Sequence, residues 1–502
     1  MNLVAELKKY FGFTSFKPGQ EEVICSILSG RHTLAMLPTG TGKSLCYQLP
    51  GLMVQGHVLI ISPLLSLMQD QVEQFKRFGE KRVVALNSFL TIDEKKMVLR
   101  NLRKYKFIFI SPEMLQVPYI IQKLQELTLS LFVIDEAHCI SQWGYDFRPD
   151  YSRLGEIRKR LGNPLTLALT ATATRKVLND IIYSLDLEDV TKIEYSVDRP
   201  NIALVVEEAA AGRQREERVL ELVSQLQKPG IIYFSSKKTA EQMASLIADR
   251  GLCKVSAYHA GLDQASRTLI QQQFLYNQLD VICATSAFGM GINKENIRFI
   301  IHYHMPMQME SYLQEIGRAG RDGLQSIAFL LYSSGDELLP IQLAESELPS
   351  EQQVAWLFHK LEENQMFITD KGIVEQHLRD IGGFSEIQWR IVEQFFKNER
   401  HGPNFNKLQE AILTYVKERM RVKKNHIARM KNWIESTCCR REYILQYFEE
   451  TLSRKISPCC DCCGIELESF QSFAKKHDTL IESTWQEYLS EILINESQNY
   501  EK

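Results

Sequence analysis

Leu37-Pro38-Thr39-Gly40-Thr41-Gly42-Lys43-Ser44 joins one apolar run, Thr33 to Leu37, to another that begins at Leu45. A strand, a glycine-containing turn ending in Gly-Lys-Ser and a helix together make a phosphate-binding loop. Backbone N–H groups and the helix N-terminus face the phosphates. In that geometry Thr39, Gly40, Thr41 and Gly42 line the nucleotide, Lys43 reaches the β- and γ-phosphates, and Ser44 holds Mg²⁺. The usual pattern opens with glycine, and Leu37 stands in that place. Further along, Val133-Ile134-Asp135-Glu136-Ala137-His138 reads as a buried strand ending in two carboxylates. Asp135 at the strand's carboxyl end would bind Mg²⁺ through water and Glu136 would polarise the attacking water, the second half of a nucleoside triphosphate site. A third group is Gln314-Glu315-Ile316-Gly317-Arg318-Ala319-Gly320-Arg321-Asp322-Gly323. Arg318 and Arg321, three apart, would share one face of a helical turn. From there they could meet the γ-phosphate as an arginine finger when two lobes close.

Two further groups carry other chemistry. Trp143, Tyr145, Phe147, Arg148 and Tyr151 follow directly after the Asp135–His138 carboxylates. Flat rings stack on unpaired bases without choosing sequence, at roughly 1–3 kcal/mol per base, and Arg148 adds phosphate attraction or stacking. Base contact there could be linked mechanically to hydrolysis at Glu136. Six of the 11 cysteines lie between Cys438 and Cys463. The other five are scattered, as expected in a reducing compartment, so the cluster points to a four-sulfur metal site rather than to disulfides. Small hydroxyl residues at strand ends, Ser62, Ser111, Ser235-Ser236 and Thr285-Ser286, could bond phosphate oxygens of a nucleic acid.

The elements that must position these groups come in two alternating stretches. Continuous apolar runs, expected of strands buried on both faces, occur at 33–37, 57–61, 107–110, 131–134 and 166–169. They recur at 230–234, 254–258, 280–283, 297–301 and 326–331, with helical patterns such as 237–250 and 264–276 between them. The fold class is therefore α/β, with two tandem doubly wound parallel sheets followed by a helical region and a small metal-binding module. The expected domains are 1–196, 197–338, a helical 339–437, a cysteine module at 438–466 and an acidic tail at 467–502. Asp198-Arg199-Pro200-Asn201 is a turn-like boundary between the first two. Within the helical part, 373–381, Gly382-Gly383 and 384–396 read as helix, turn, helix, a candidate duplex-binding module or a plain spacer. Residues 417–441 hold nine Lys/Arg against two acids and could lie along a DNA backbone or form a solvated face.

Composition narrows the class. With 502 residues the chain is long enough for about three or four domains. A net charge of −3 announces no general polyanion binder, so any basic surface is local. No apolar run approaches a membrane span, and Met1–Lys9 has no signal-peptide core, so no membrane partner and a cytoplasmic location are expected.

The motifs Asp135-Glu136-Ala137-His138, Thr170-Ala171-Thr172-Ala173 and Gln314 to Gly323 resemble those of superfamily 2 helicases. The segment from Cys139 to Tyr151 is similar to the aromatic-rich loop of the RecQ family of DNA helicases, and residues 1–335 resemble that family throughout, closest to its short bacterial form. The resemblance implies two RecA-like lobes and ATP-dependent unwinding of DNA with 3′→5′ movement, in repair or recombination. Phe16-Lys17-Pro18-Gly19-Gln20 resembles the family's adenine-sensing motif, with Lys17 and Gln20 at the base. Phe288 to Lys294 resembles its motif V, and Trp143, Phe147 and Arg148 would contact DNA. The family's zinc site has a Cys-Arg-Arg element and a later Cys-Asp-x-Cys element, which implies Cys439, Cys460 and Cys463 with Cys459 as the fourth Zn²⁺ ligand. Here Cys459 and Cys460 are adjacent, so Cys462 and Cys438 stay open as substitutes. Fewer than 40 residues follow Gly464, too few for the winged-helix and nucleic-acid-binding domains of longer members. Implied cofactors are ATP, Mg²⁺ and Zn²⁺. Implied partners are single-stranded and forked or tailed duplex DNA and a single-strand-binding protein, with the chain a monomer near the bacterial nucleoid. An RNA helicase, a translocase that does not unwind, and a DNA-binding protein with a decayed ATP site are the competing readings.

Overall fold

A computed structural model describes residues 2–63, 65–87, 90–141, 148–289, 294–363, 373–397, 404–452 and 454–472. Lobe one contains β1 (Thr33–Met36), β2 (His57–Ile61), β3 (Val83–Leu86), β4 (Phe107–Ile110), β5 (Leu129–Ile134), β6 (Thr166–Thr170) and β7 (Thr191–Glu194). They pair in the order β3-β4-β2-β5-β6-β1-β7, every ladder parallel. Lobe two contains β8 (Ile202–Glu208), β9 (Gly230–Tyr233), β10 (Val255–Tyr258), β11 (Val281–Ala284), β12 (Phe299–His302) and β13 (Ser326–Tyr332), in the order β10-β11-β9-β12-β13-β8, also all parallel. Two parallel-sheet α/β lobes are thus present. Inner strands such as β4, Phe-Ile-Phe-Ile, and β11, Val-Ile-Cys-Ala, are wholly apolar because helices cover both faces of each sheet.

Three strands are not announced by the apolar runs: β3, β7 and β8. All three are sheet edges. β7, Thr-Lys-Ile-Glu, buries only Ile193 fully, and β8 runs out into Glu207-Glu208, so edge placement leaves room for polar residues that mask the pattern.

After β13 the described chain is helical, through Leu338–Ser346, Glu351–Glu363, Ile373–Ile381, Glu386–Lys397, the 31-residue Phe405–Glu435 and Arg440–Tyr447. Val354, Leu357, Phe358, Trp389, Val392 and Leu408 centre a core separate from the lobes. The long helix leaves that core and ends in the lobe core, where Trp433 packs on Tyr312 with ring centroids 4.9 Å apart. Among the described residues of 339–437 there is no strand. At the start of Glu386–Lys397, Glu386 and Ile387 are exposed while Gln388 faces inward, its amide donating to the Ser346 and Leu348 carbonyls, each at 3.0 Å. The basic run is largely spent on intramolecular pairs: Lys417, Lys423, Lys424 and Lys431 meet Glu351, Glu347, Glu345 and Glu337. Residues 467–472 are packed on lobe two, where Phe470 enters the core and Gln471 bridges to Leu226. Among the described residues no helix is long and apolar enough to cross a membrane.

Candidate nucleotide cleft and metal cluster

The carboxyl ends of β1, β5 and β6 bring the first two motifs to one edge of lobe one, where the Leu37 N–H donates to the Thr170 carbonyl at 3.0 Å. Gly40 has φ 93°, and a Cβ there would lie 2.9 Å from Cγ of Arg321, so glycine is required both by its backbone angle and by the approach of lobe two. Lys43 Nζ lies 3.5 Å from the Leu37 carbonyl, and Ser44 stands at the N-cap position of helix Leu45–Met53 with no capping bond from its side chain. Gln20 is buried behind the loop. Its amide donates to the Thr41 and Gly42 carbonyls at 2.7 and 3.0 Å and accepts from the Lys17 N–H at 2.8 Å, while Lys17 Nζ reaches the Gly40 carbonyl at 3.2 Å. In this arrangement both residues shape the loop, and a base edge would have to displace these bonds.

Burial and the Glu136 carboxylate push Asp135 up to about 7, while Lys43 pulls it back. Two carboxylates so placed, opposite a lysine, fit a divalent cation. Glu136 adopts φ 49°, lies 3.4 Å from His138 Nδ1, and is 3.5 Å from the Gln314 amide of lobe two. His138 also meets Thr170 Oγ1 at 3.0 Å, which joins the motifs after β5 and β6.

The arginine segment differs from the expected helical turn. Helix Met309–Ile316 stops at Gly317, and Arg318 and Arg321 follow on successive turns and diverge. Arg318 donates to the Gly289 carbonyl, and a Cβ on Gly289 would lie 2.3 Å from Cζ of Arg318. The stem of Arg321 lies over Gly40 instead. Burial, with Arg318 and Arg199 alongside, pulls the Arg321 guanidinium down to about 9. A buried guanidinium depressed by two others beside a phosphate loop fits an anion. Arg199, read from sequence only as part of a linker, is the site residue that motif reasoning missed. It bonds to carbonyls of both lobes, and no local pattern signals this.

A cleft of about 1250 Å³ opens from this interface between both lobes and the helical region, lined in part by Pro63, Arg148, Ser235, Thr285, Ser286 and Arg419. Arg148 donates to the Pro63 carbonyl at 2.8 Å. The other strand-end hydroxyls do not reach it in the expected way. Ser62 and Ser111 are buried, and Ser236 caps helix Lys237–Asp249 by accepting from the Thr239 N–H. Tyr151 is no stacking platform. It is fully buried, with its hydroxyl donating to the Asp135 carbonyl at 3.1 Å. Trp143, Tyr145 and Phe147, and Met290 to Asn293 of motif V, lie outside the described residues.

The cysteine cluster forms where the segment after Pro458 returns to helix Arg440–Tyr447. One sulfur each from Cys439, Cys459, Cys460 and Cys463 lies within 4.8 Å of the others, a spacing that suits a tetrahedral thiolate site. Adjacent Cys459 and Cys460 both contribute because Cys460 is extended, at φ −158°, ahead of the short turn Asp461–Cys463. Cys462 turns instead towards the Asp461 carboxylate, and Cys438 is exposed. Arg440 is buried and braces the cluster, bonding to both Asp461 oxygens and to the Trp433, Ile434 and Ser436 carbonyls.

Two parallel-sheet lobes, motifs facing each other across a cleft and a four-cysteine module define a nucleotide-dependent helicase fold. Family models agree: DEAD/DEAH box helicase over residues 17–181, helicase conserved C-terminal domain over 214–323, and RecQ zinc-binding over 396–464. The chain is 46% identical over 491 residues to the "Probable ATP-dependent DNA helicase RecS" of Bacillus subtilis, covering 97% of each chain. It is 42% identical to the "ATP-dependent DNA helicase RecQ" of Haemophilus influenzae, over 79% of this chain and 61% of that one. A solved DUF1998 helicase, MrfA bound to DNA, shares the fold with a TM-score of 0.58 at 18% identity, covering 68% of this chain and 51% of that one. The chain belongs to the RecQ family of ATP-dependent DNA helicases and carries that family's zinc-binding domain.

Proposed function

We propose that the chain hydrolyses ATP between its lobes to move 3′→5′ along one DNA strand and so unwind forked or tailed duplexes in DNA repair or recombination. One observation carries this reading: Arg321 of lobe two already lies against Gly40 of the phosphate loop, while Gln314 of the same lobe approaches Glu136. Lobe closure thus acts directly on the hydrolytic groups.

In this reading Lys43 and the loop amides hold the phosphates, with Thr39 and Thr41 in the loop wall. Glu136 orients the attacking water, steadied by His138 and Gln314. Arg321 supplies positive charge at the γ-phosphate, and Arg318 fixes the turn that presents it. Ser44 and Asp135 would hold Mg²⁺, which offsets phosphate charge. Cys439, Cys459, Cys460 and Cys463 would hold Zn²⁺, which cross-links the module. Lys17 and Gln20 would meet the adenine on exchanging their loop bonds for it. Ser235, Thr285 and Arg148 would track the strand, with Trp143 and Phe147 stacking on its bases. The chain would work as a monomer beside single-strand-binding protein, in the cytoplasm.

ATP turnover with and without single-stranded DNA, and unwinding of forked, 3′-tailed, 5′-tailed and RNA duplexes, test the reading together. Expected are DNA-stimulated turnover and opening of forked and 3′-tailed DNA. Opening of RNA alone, or of 5′-tailed DNA alone, would overturn substrate or direction respectively.

A further inference from the structure

The linker between the lobes is gripped from both sides. Arg199 Nη1 donates to the Thr39 carbonyl of the phosphate loop at 2.8 Å and to the Gly317 carbonyl of lobe two at 2.9 Å. Its Nη2 donates to the Ala319 and Gly320 carbonyls at 3.0 and 2.8 Å. One planar guanidinium therefore spans both halves of the nucleotide site. It touches backbone on both sides of Arg318, at Gly317, Ala319 and Gly320, and beside Gly40 at Thr39. Neither the compact ammonium of lysine nor a neutral amide can reproduce four such bonds from one position.

The other side of the same linker is held by the cysteine module. Arg441, two residues after Cys439, donates to Asp198, to the Arg199 carbonyl at 3.1 Å and to the Ile202 carbonyl at 2.6 Å. Glu450, beyond the same module's helix, accepts from Ser196 and from the Val197 N–H. The Leu204 N–H of β8 donates to the Cys459 carbonyl at 3.0 Å. From Ser196 to Leu204 the module thus sets the path of the backbone that carries Arg199.

We propose that Arg199 is a positioning residue that sets the arginine segment of lobe two against the phosphate loop of lobe one, and that Arg441 and Glu450 make this setting depend on the cysteine module. The inference rests on the helicase reading of the cleft. It adds a route by which a module remote from the nucleotide controls turnover: a loosened module releases the linker, the linker shifts Arg199, and Arg321 loses its register over Gly40. Misplacement of a charge-stabilising group by about 1 Å is enough to slow turnover about 100-fold.

The test uses the zinc-loaded full chain and the variants Arg199→Lys, Arg199→Ala, Arg441→Ala, Glu450→Gln and the double variant Arg199→Ala/Arg441→Ala. DNA-stimulated kcat, KM for ATP, zinc content, melting temperature and, without nucleotide, lobe separation by X-ray scattering are measured on each. Arg199→Ala should lower kcat about 10- to 100-fold while KM moves less than about threefold, and Arg199→Lys should recover part of the loss. Arg441→Ala should lower kcat in the same way, and the double variant should be no worse than Arg199→Ala alone. Glu450→Gln holds the linker from outside the cluster, so it should lower kcat at full zinc content even where Arg441→Ala loses metal. Unchanged kcat in Arg199→Ala, independent multiplication in the double variant, or losses that only follow melting temperature would overturn the inference. Wild-type protein without DNA-stimulated turnover would refute the helicase reading instead. Scattering then decides the inference: lobes further apart in Arg199→Ala support it, and unchanged lobes overturn it.

Discussion

The nucleotide cleft and the cysteine cluster both gather residues far apart in the chain, yet different forces hold them. The phosphate loop and the Asp135–Glu136 pair follow strands of an all-parallel sheet buried on both faces, and the arginine segment follows a helix packed on the second such sheet, so the lobes build the site before any ligand arrives. The cluster has little core of its own. Four thiols converge between one short helix and one short turn, braced by Arg440 and leaning on the edge of lobe two. The contrast locates the stability of each site. A cleft side chain can be removed at the expense of chemistry alone, whereas a cluster side chain takes structure with it and, through Arg441 and Arg199, reaches the chemistry second-hand.

The largest effect should come from the cleft. Lys43→Ala is expected to bring ATP turnover to background while the melting temperature stays at the wild-type value. Wild-type turnover in a clean preparation would break the assignment of the loop. Arg321→Ala should come next, with kcat down by about 10³-fold and ATP binding, measured by titration of the nucleotide, little changed. A collapse of ATP affinity with a normal residual rate would shift the finger to Arg318.

The cluster should behave in the opposite manner. Cys439→Ser or Cys463→Ser should abolish stoichiometric zinc in elemental analysis and cost about 4 kcal/mol of stability in denaturant titrations. A metal-free variant of full stability would erase the contrast between the two regions.

The smallest effect concerns the stability of lobe one, which carries the phosphate loop. Burial, with Glu73 nearby, pushes Asp70 of lobe one up to about 6 from its ordinary 3.8. The folded chain therefore holds this proton to higher pH than the unfolded chain, and stability falls as pH rises from about 4 to about 6. Asp70→Asn should raise stability by about 1–2 kcal/mol above pH 6 and by nothing near pH 4, read from denaturation midpoints at both values. An equal gain at both pH values would assign the effect to packing.

The two-sheet class and the chemistry at strand ends were legible in the residues alone, because a strand buried on both faces is mostly apolar and a phosphate loop must carry Gly and Lys at fixed places. The sequence did not announce β3, which is short though apolar, nor β7 and β8, whose edge positions tolerate polar residues. It read Tyr151 as one ring of an exposed series, although only the packing of lobe one decides that this ring is buried. It read lysines 417, 423, 424 and 431 as a basic stripe, although the fold sets an acidic partner opposite each. Motif spacing left the fourth cysteine open, and the cluster geometry selects Cys459 because the extended backbone at Cys460 lets neighbouring thiols face one centre. Arg199 marks the limit most sharply. A bond from a side chain to backbone carbonyls leaves no signature in the residues that accept it, so only the tertiary structure could place this guanidinium between the lobes.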